Sequence, residues 1–502
     1  MLLENDGILP LNLDNVGKVA LIGHNANAAR TQGGGSATVM PKSVVTPLEA
    51  LKAELGDRLS YSIGAVVQAG LAALASTQIT NPITGLPGVQ VEFLNAEGGV
   101  LFTEERKATA LTWMGSPAPV AKSSSMRLRT TYLPNQTSSQ LLGYASSQPV
   151  EFKINGDIFL KDHLPDESTD PFTSLMDPPF TSKAFDFVAG KPVEIEITVD
   201  LRNRQGVTAE SQSFTFGLEA DASVGDKNIA DAVLAAKNSE LAIVVVGTNS
   251  QVESEGVDRT DLKLPGRQDE LVEAVVAANP NTIVVVNSGS PVLMPWRKKV
   301  KAILLTYFGG QEMGNALLEM LTGVSEPGGR LPTTWADSLE DVPVSNCIAS
   351  QPGSYVTYEE GIHVGYRAWL KAGRKPAYEF GYGLGYTTWS LNPVDAPKEV
   401  PAGSDFAVSV SVTNTGSRAG KQVVQIYASR EISAIDRPVR WLVGFADVHL
   451  GPGETKQLDV NVRGREFSNW SSGWNYEPGT FDLHIGTSVE KLHLHTSIEI
   501  GK

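Results

Sequence analysis

Glu253, Glu255, Asp258 and Arg259 fall within the seven-residue stretch "ESEGVDR", shortly after the apolar run "LAIVVVG" at 241–247. Carboxyl groups at that spacing share one loop, where one of them can give and take a proton. Cleaving a glycosidic bond with retention needs a pair about 5 to 5.5 Å apart, one attacking the sugar while the other acts as acid and then as base. The residues alone leave a plainer reading open, a solvated loop whose charges cap the following helix. No Ser-His-Asp set or nucleophile elbow lies nearby.

A second candidate is "ALIGHNANAARTQGGGSA", in which Gly33, Gly34, Gly35 and Ser36 follow another apolar run. Glycines allow close backbone approach, so this segment reads as a turn or as a loop touching substrate. The spacing G-x-G-x-x-G with a later acidic ribose ligand is absent, which gives a dinucleotide little support. Cys347 is the single cysteine and the seven histidines are scattered, so no metal site is expected.

Both loops leave strand-like runs. "KVALIG" at 18–23, "LAIVVVG" at 241–247, "NTIVVVN" at 281–287 and "KAILLTY" at 301–307 are continuous and β-branched, and amphipathic helical patterns precede the second, separate it from the third and follow the last. Strands of that kind alternating with helices predict a parallel sheet covered on both faces, with ligands beyond the carboxyl ends of the strands. Between the first run and the second the texture changes to alternation, as in "MRLRTTYLP" and "PVEIEITVDL", which reads as an inserted all-β sandwich. A third texture, "DFAVSVSVTNTGSRAGKQVVQIYAS" onward, predicts a small antiparallel sandwich. The organisation expected is an α/β sandwich over 1–70 and 222–390, an inserted β-sandwich over 71–221 and a final β-sandwich over 391–502. Trp113, Trp296 and Trp369 are read as core.

Composition narrows the partners. With 41 basic against 56 acidic residues the net charge is −15, which disfavours nucleic acid and anionic membrane. The apolar runs are far shorter than the roughly 20 residues that span a bilayer. "MLLENDGILPL" carries no signal-peptide pattern, and the compartment stays undetermined.

Taken in order, "LLENDGILPL", "VALIGHNA", "GGGSA", "SEGVDRTDLKLPGRQ", "GGQEMGNALLEMLTGVSEPGGRLPTTW", "YEEGIHVGYRAW" and "FGYGLGYTTW" resemble the second-domain signatures of glycoside hydrolase family 3, the β-glucosidase family. "NTGSRAGKQVVQIY" and "VGFADVHLGPGETKQLDV" are similar to the family's fibronectin-III-like tail, and the insertion resembles the protective-antigen-type sandwich of one of its branches. The resemblance implies retaining hydrolysis, without metal or organic cofactor, of terminal non-reducing β-D-glucosyl residues in β-glucosides or short β-glucan oligosaccharides. It places the general acid/base at Glu255, with Glu253 as the local rival and Asp258 and Arg259 as a supporting ion pair. It also implies a (β/α)₈ barrel, in cis or in trans, that supplies an Asp nucleophile. No such barrel is patterned in these residues, so the chain alone is expected to turn over poorly. A non-catalytic carbohydrate-binding or regulatory protein on the same scaffold is the alternative.

Overall fold

The computed structural model describes residues 1–501 except 36, 37, 40, 68, 69, 136, 165–174, 176, 177, 203–208, 220–224, 256–258 and 345–354. Six strands build the first sheet: β1 (Leu2–Asn5), β2 (Val19–Ile22), β3 (Leu59–Ser62), β4 (Leu241–Gly247), β5 (Thr282–Asn287) and β6 (Ala302–Leu305), in the spatial order β1-β6-β5-β4-β2-β3. The run from β6 to β3 is parallel, as expected of continuous apolar strands. The edge differs from expectation. Residues 2–5 pair antiparallel with β6, so the sheet is mixed. β3, "LSYS", is too short and polar to announce itself in sequence.

Alternate residues of each strand face opposite layers. Ala20, Ile22, Val244, Val246, Val284 and Val286 pack under α2 (Gly225–Lys237) and α3 (Gln268–Ala278). Val19, Leu21, Ile243, Val245, Ile283 and Val285 pack under α1 (Pro47–Leu55) and α4 (Met313–Thr322). Thr46 and Glu49 close a capping box on α1, with Pro47 at its first turn. Helix α4 approaches the start of α1 closely at Gly314, where a Cβ would lie 2.2 Å from the Thr46 carbonyl oxygen. Trp113, Trp296 and Trp369 are all buried, and the Trp296 indole donates to Asp269 on α3 at 2.9 Å.

The chain leaves this layer after β3 and returns at α2. In between, strands from Leu71–Ala73 to Gln212–Glu219 form a five-stranded and a seven-stranded sheet around one core that includes Phe93, Trp113, Phe152 and Phe216. From Trp389–Asp395 to Leu492–Ile500, a three-stranded and a five-stranded sheet enclose a third core with Val410, Ile426, Trp441 and Phe481. The fold is thus an α/β sandwich interrupted by an all-β sandwich and followed by a fibronectin-III-like one. Among the described residues no helix is long and apolar enough to cross a membrane.

Replacing Trp296 by Ala removes a fully buried ring and orphans the Asp269 acceptor, so we expect a loss of about 3–5 kcal/mol. The denaturant midpoint of the α/β unit, followed by circular dichroism, checks this.

Candidate active site

Strand β4 outruns its neighbour. Pairing with β2 stops at Val244–Ile22, yet β4 continues to Gly247, whose N–H and C=O then face a side with no strand. Buried backbone groups need partners. The Gln268 side chain supplies both: its Oε1 accepts the Gly247 N–H and its Nε2 donates to the Gly247 carbonyl, each at 2.8 Å. One carboxamide on α3 therefore stands in for a missing strand at the point where the 248–259 loop departs.

Further amides hold that loop. Asn25 donates to the Thr248 carbonyl at 3.2 Å, from the short helical turn His24–Asn27 that follows β2. Asn249 accepts from the N–H groups of Gln251 and Val252, both at 3.0 Å, and donates to Val67 O at 3.2 Å. This is an Asx turn made inside a buried site. Asn287, at the end of β5, takes the Arg30 N–H at 2.9 Å and donates to the carbonyls of Arg30 and Tyr307 at 3.0 and 2.7 Å. It thereby ties the loop after β2 to those that leave β5 and β6. His24 Nδ1 accepts the Val67 N–H at 3.3 Å; burial, and then the nearby Arg30 charge, push its pKa down to about 4, so the ring stays neutral at neutral pH.

The two glutamates are held differently. Glu253 Oε1 accepts the Thr248 hydroxyl at 2.5 Å and the Gly289 N–H at 3.1 Å. A Cβ on Gly289 would stand 2.6 Å from Glu253 Oε2 and from the Phe308 ring, so only glycine admits the carboxylate there. Glu253 thus ties its own loop to the one after β5. Glu255 is exposed, two residues further out.

The glycine segment lies directly against it. Gly34 N–H donates to Glu253 O at 2.9 Å, Glu255 N–H reaches Gly34 O at 3.4 Å, and Gly34 pairs with Ser254 in a parallel bridge. A Cβ on Gly35, at φ +86°, would sit 2.5 Å from Glu255 Cβ; one on Gly34 would sit 2.6 Å from Ser250 O. The two loops singled out in sequence are therefore one site, with the glycines forming the cradle of the acidic loop. Ser36 and Asp258 lie outside the described residues. Arg259 is described: its guanidinium donates to Ser290 Oγ at 3.0 Å and Pro291 O at 2.9 Å, pinning the far end of the loop to the segment after β5.

The inserted sandwich reaches the same place. A Cβ on Gly70 would meet Gln251 Nε2 at 2.9 Å and the Phe180 ring at 3.4 Å, so Phe180, 44% exposed, borders the acidic loop. Sequence reading missed Phe180, Gln268 and the three asparagines. Asn and Thr just past apolar strands were the available signal for the polar set; Phe180 had none. Among the described residues no three His, Cys, Asp or Glu side chains converge as metal ligands.

The family model described as glycosyl hydrolase family 3 C-terminal domain matches residues 1–386, and the fibronectin type III-like domain matches 422–489. Over 536 residues the chain is 35% identical to Beta-glucosidase B of Emericella nidulans, covering 100% of this chain and 61% of that protein. A beta-glucosidase of Rhizobium radiobacter is 30% identical over 531 residues, with the same coverage of 100% and 61%. The crystal structure of the Kluyveromyces marxianus beta-glucosidase in complex with glucose superposes with a TM-score of 0.88 at 28% identity, covering 100% of this chain and 61% of that one. The chain spans about three-fifths of the length of these relatives.

Adding a methyl group at Gly35 drives the cradle into Glu255. For Gly35→Ala we expect faster amide hydrogen exchange confined to residues 249–255 and the facing 30–35 segment, with protection of β4 and β5 unchanged; exchange is read by mass spectrometry of peptides.

Proposed function

Because the chain belongs to glycosyl hydrolase family 3, we propose that it is the acid/base-bearing part of a retaining β-glucosidase, acting on terminal non-reducing β-D-glucosyl residues with Glu255 as proton donor and acceptor. The observation that carries this reading is the contrast between the two glutamates. Glu253 is held as an anchor by Thr248 and Gly289, whereas Glu255 is an exposed residue on a loop whose backbone the glycine segment holds. A positioned carboxyl group of this kind serves both steps of a retaining mechanism. It protonates the departing glycosidic oxygen, then takes a proton from the water that attacks the glycosyl intermediate.

The second carboxylate has to arrive from elsewhere. Retention needs a nucleophile about 5 to 5.5 Å from the acid/base. We assign it to an Asp on a (β/α)₈ barrel outside these 502 residues, in cis or in trans, docked over the carboxyl edge of the sheet. That placement puts the sugar between barrel and loop. It leaves Phe180 on the leaving-group side, where its ring offers a flat apolar face to an aglycone.

In the assembled enzyme, Glu255→Gln should lower kcat on an alkyl β-glucoside by about 10²–10⁴-fold. A substrate with an acidic phenol as leaving group needs no proton for the first step, so it should still release a burst of phenol, and added azide should restore turnover as a β-glucosyl azide. Activity of the mutant equal to wild type on the alkyl glucoside would refute the assignment. Sugar binding without turnover in any barrel combination would instead favour the non-catalytic carbohydrate-binding reading. Phe180→Ala should raise KM for a β-linked disaccharide several-fold while leaving hydrolysis of methyl β-glucoside within about twofold, as expected for loss of one stacking contact; steady-state kinetics on both substrates decides it.

A further inference from the structure

Residues 468–476, "SNWSSGWNY", stand outside both sheets of the fibronectin-III-like unit as a separate hairpin, with Ser468–Trp470 paired to Trp474–Tyr476. Its cross-strand partners Trp470 and Trp474 are 66% and 47% exposed. Their ring centroids are 5.1 Å apart with planes at 72°, which makes an open corner with one indole as floor and the other as wall. Edge-to-face contact of this kind stabilises a short hairpin. It does not require the larger part of Trp470 to remain in water.

Other contacts hold the corner rigid. The Arg465 guanidinium lies 4.0 Å from the Trp474 ring centroid, fixing that indole by a cation–π contact. Asn475 Nδ2 donates to the carbonyls of Ser471 and Gly473 at 3.1 and 2.9 Å, closing the turn. Tyr476 packs its hydroxyl end against Gly403 at the sandwich, where a Cβ would meet it at 3.1 Å. A preorganised aromatic surface loses little entropy when a ligand arrives.

The residues around the rings select the ligand class. Apart from its aromatics, the nine-residue hairpin contains only Ser, Asn and Gly. A protein-docking surface needs aliphatic neighbours to complete a dry core, and none are present within the hairpin. The net charge of −15 disfavours polyanions. With one face of Trp474 covered by Arg465, the open Trp470 face edged by the hairpin's hydroxyls and amides matches a neutral polyhydroxylated chain. In a β-linked glucan every ring carbon bears its substituent equatorially, so each glucosyl unit shows an apolar C–H face to a ring and hydroxyls to the rim.

We propose that the Trp470–Trp474 corner is a binding site for β-linked glucan chains on the fibronectin-III-like unit; the choice of β-glucan over other neutral glycans rests on the β-glucosidase reading above. The site would hold a polymer or oligomer by one or two stacked units and raise the local concentration of chain ends.

Native gel electrophoresis of the 502-residue chain, with and without soluble mixed-linkage β-glucan in the gel, tests this. The wild type should be retarded by β-glucan but not by soluble starch. Trp470→Ala and Trp474→Ala should each weaken retardation about tenfold, as loss of one stacked ring implies, while Trp470→Tyr keeps most of it. Glu255→Gln should migrate as wild type in β-glucan, so a failure of the catalytic assignment and a failure of this site are read in different lanes. Identical wild-type mobility with and without β-glucan would overturn the proposal and leave the pair as a hairpin staple. Equal retardation by starch, or retardation unaffected by both alanine variants, would overturn it too. So would a dimer in sugar-free sedimentation that Trp470→Ala dissociates, since the occupant would then be a second copy.

Discussion

A β-ladder that ends inside a protein leaves backbone groups needing partners, and the carboxyl edge of this sheet is organised around that constraint. β4 runs three residues past its pairing with β2, and the exposed side of Gly247 is satisfied by a single carboxamide, Gln268. An unpaired amide in such a buried site would cost roughly 1–3 kcal/mol. Once Gln268 fixes the end of β4, the loop that follows has one starting direction. Asn25, Asn249, Asn287 and Glu253 then determine its course by the same means, each joining two or more backbone segments.

Under the acid/base role proposed for Glu255, rigidity of this kind has a chemical use. A proton donor must sit within hydrogen-bond reach of its acceptor for the reaction to gain from it, and a solvated glutamate on a free loop would lose that advantage. Here the polar work is divided. Glu253 gives up its carboxylate to hold the loop, the glycines at 33–35 fill the space beneath with backbone alone, and Glu255 is exposed. The insertion between β3 and α2 adds its own wall through Phe180, because it leaves and re-enters the α/β layer at the edge where the acidic loop emerges.

Much of the fold was legible because burial on two faces writes a simple pattern. The runs at β2, β4, β5 and β6 are apolar at nearly every position, and the helices α2 and α3 that flank β4 carry a clear amphipathic period. β1 and β3 were not legible. Four residues with two polar positions do not distinguish an edge strand from a linker, and only pairing with β6 or β2 decides it. The Trp residues were correctly read as core because a ring of that size is rarely left in water, which is also why Trp470 and Trp474 stand out.

For the site, the sequence by itself determined which groups were available: the carboxylates of 253–258, the glycine triplet and the strands that end beside them. Their order along the chain separates the two loops by more than two hundred residues, and no local rule joins them. Only the parallel pairing of β2 with β4 sets the glycines against the acidic loop. The division of labour between Glu253 and Glu255 is likewise tertiary, since both are glutamates in the same short stretch. What separates them is the Gly289 amide and the Thr248 hydroxyl at one carboxylate, a difference created by the neighbouring strand and invisible in the spacing.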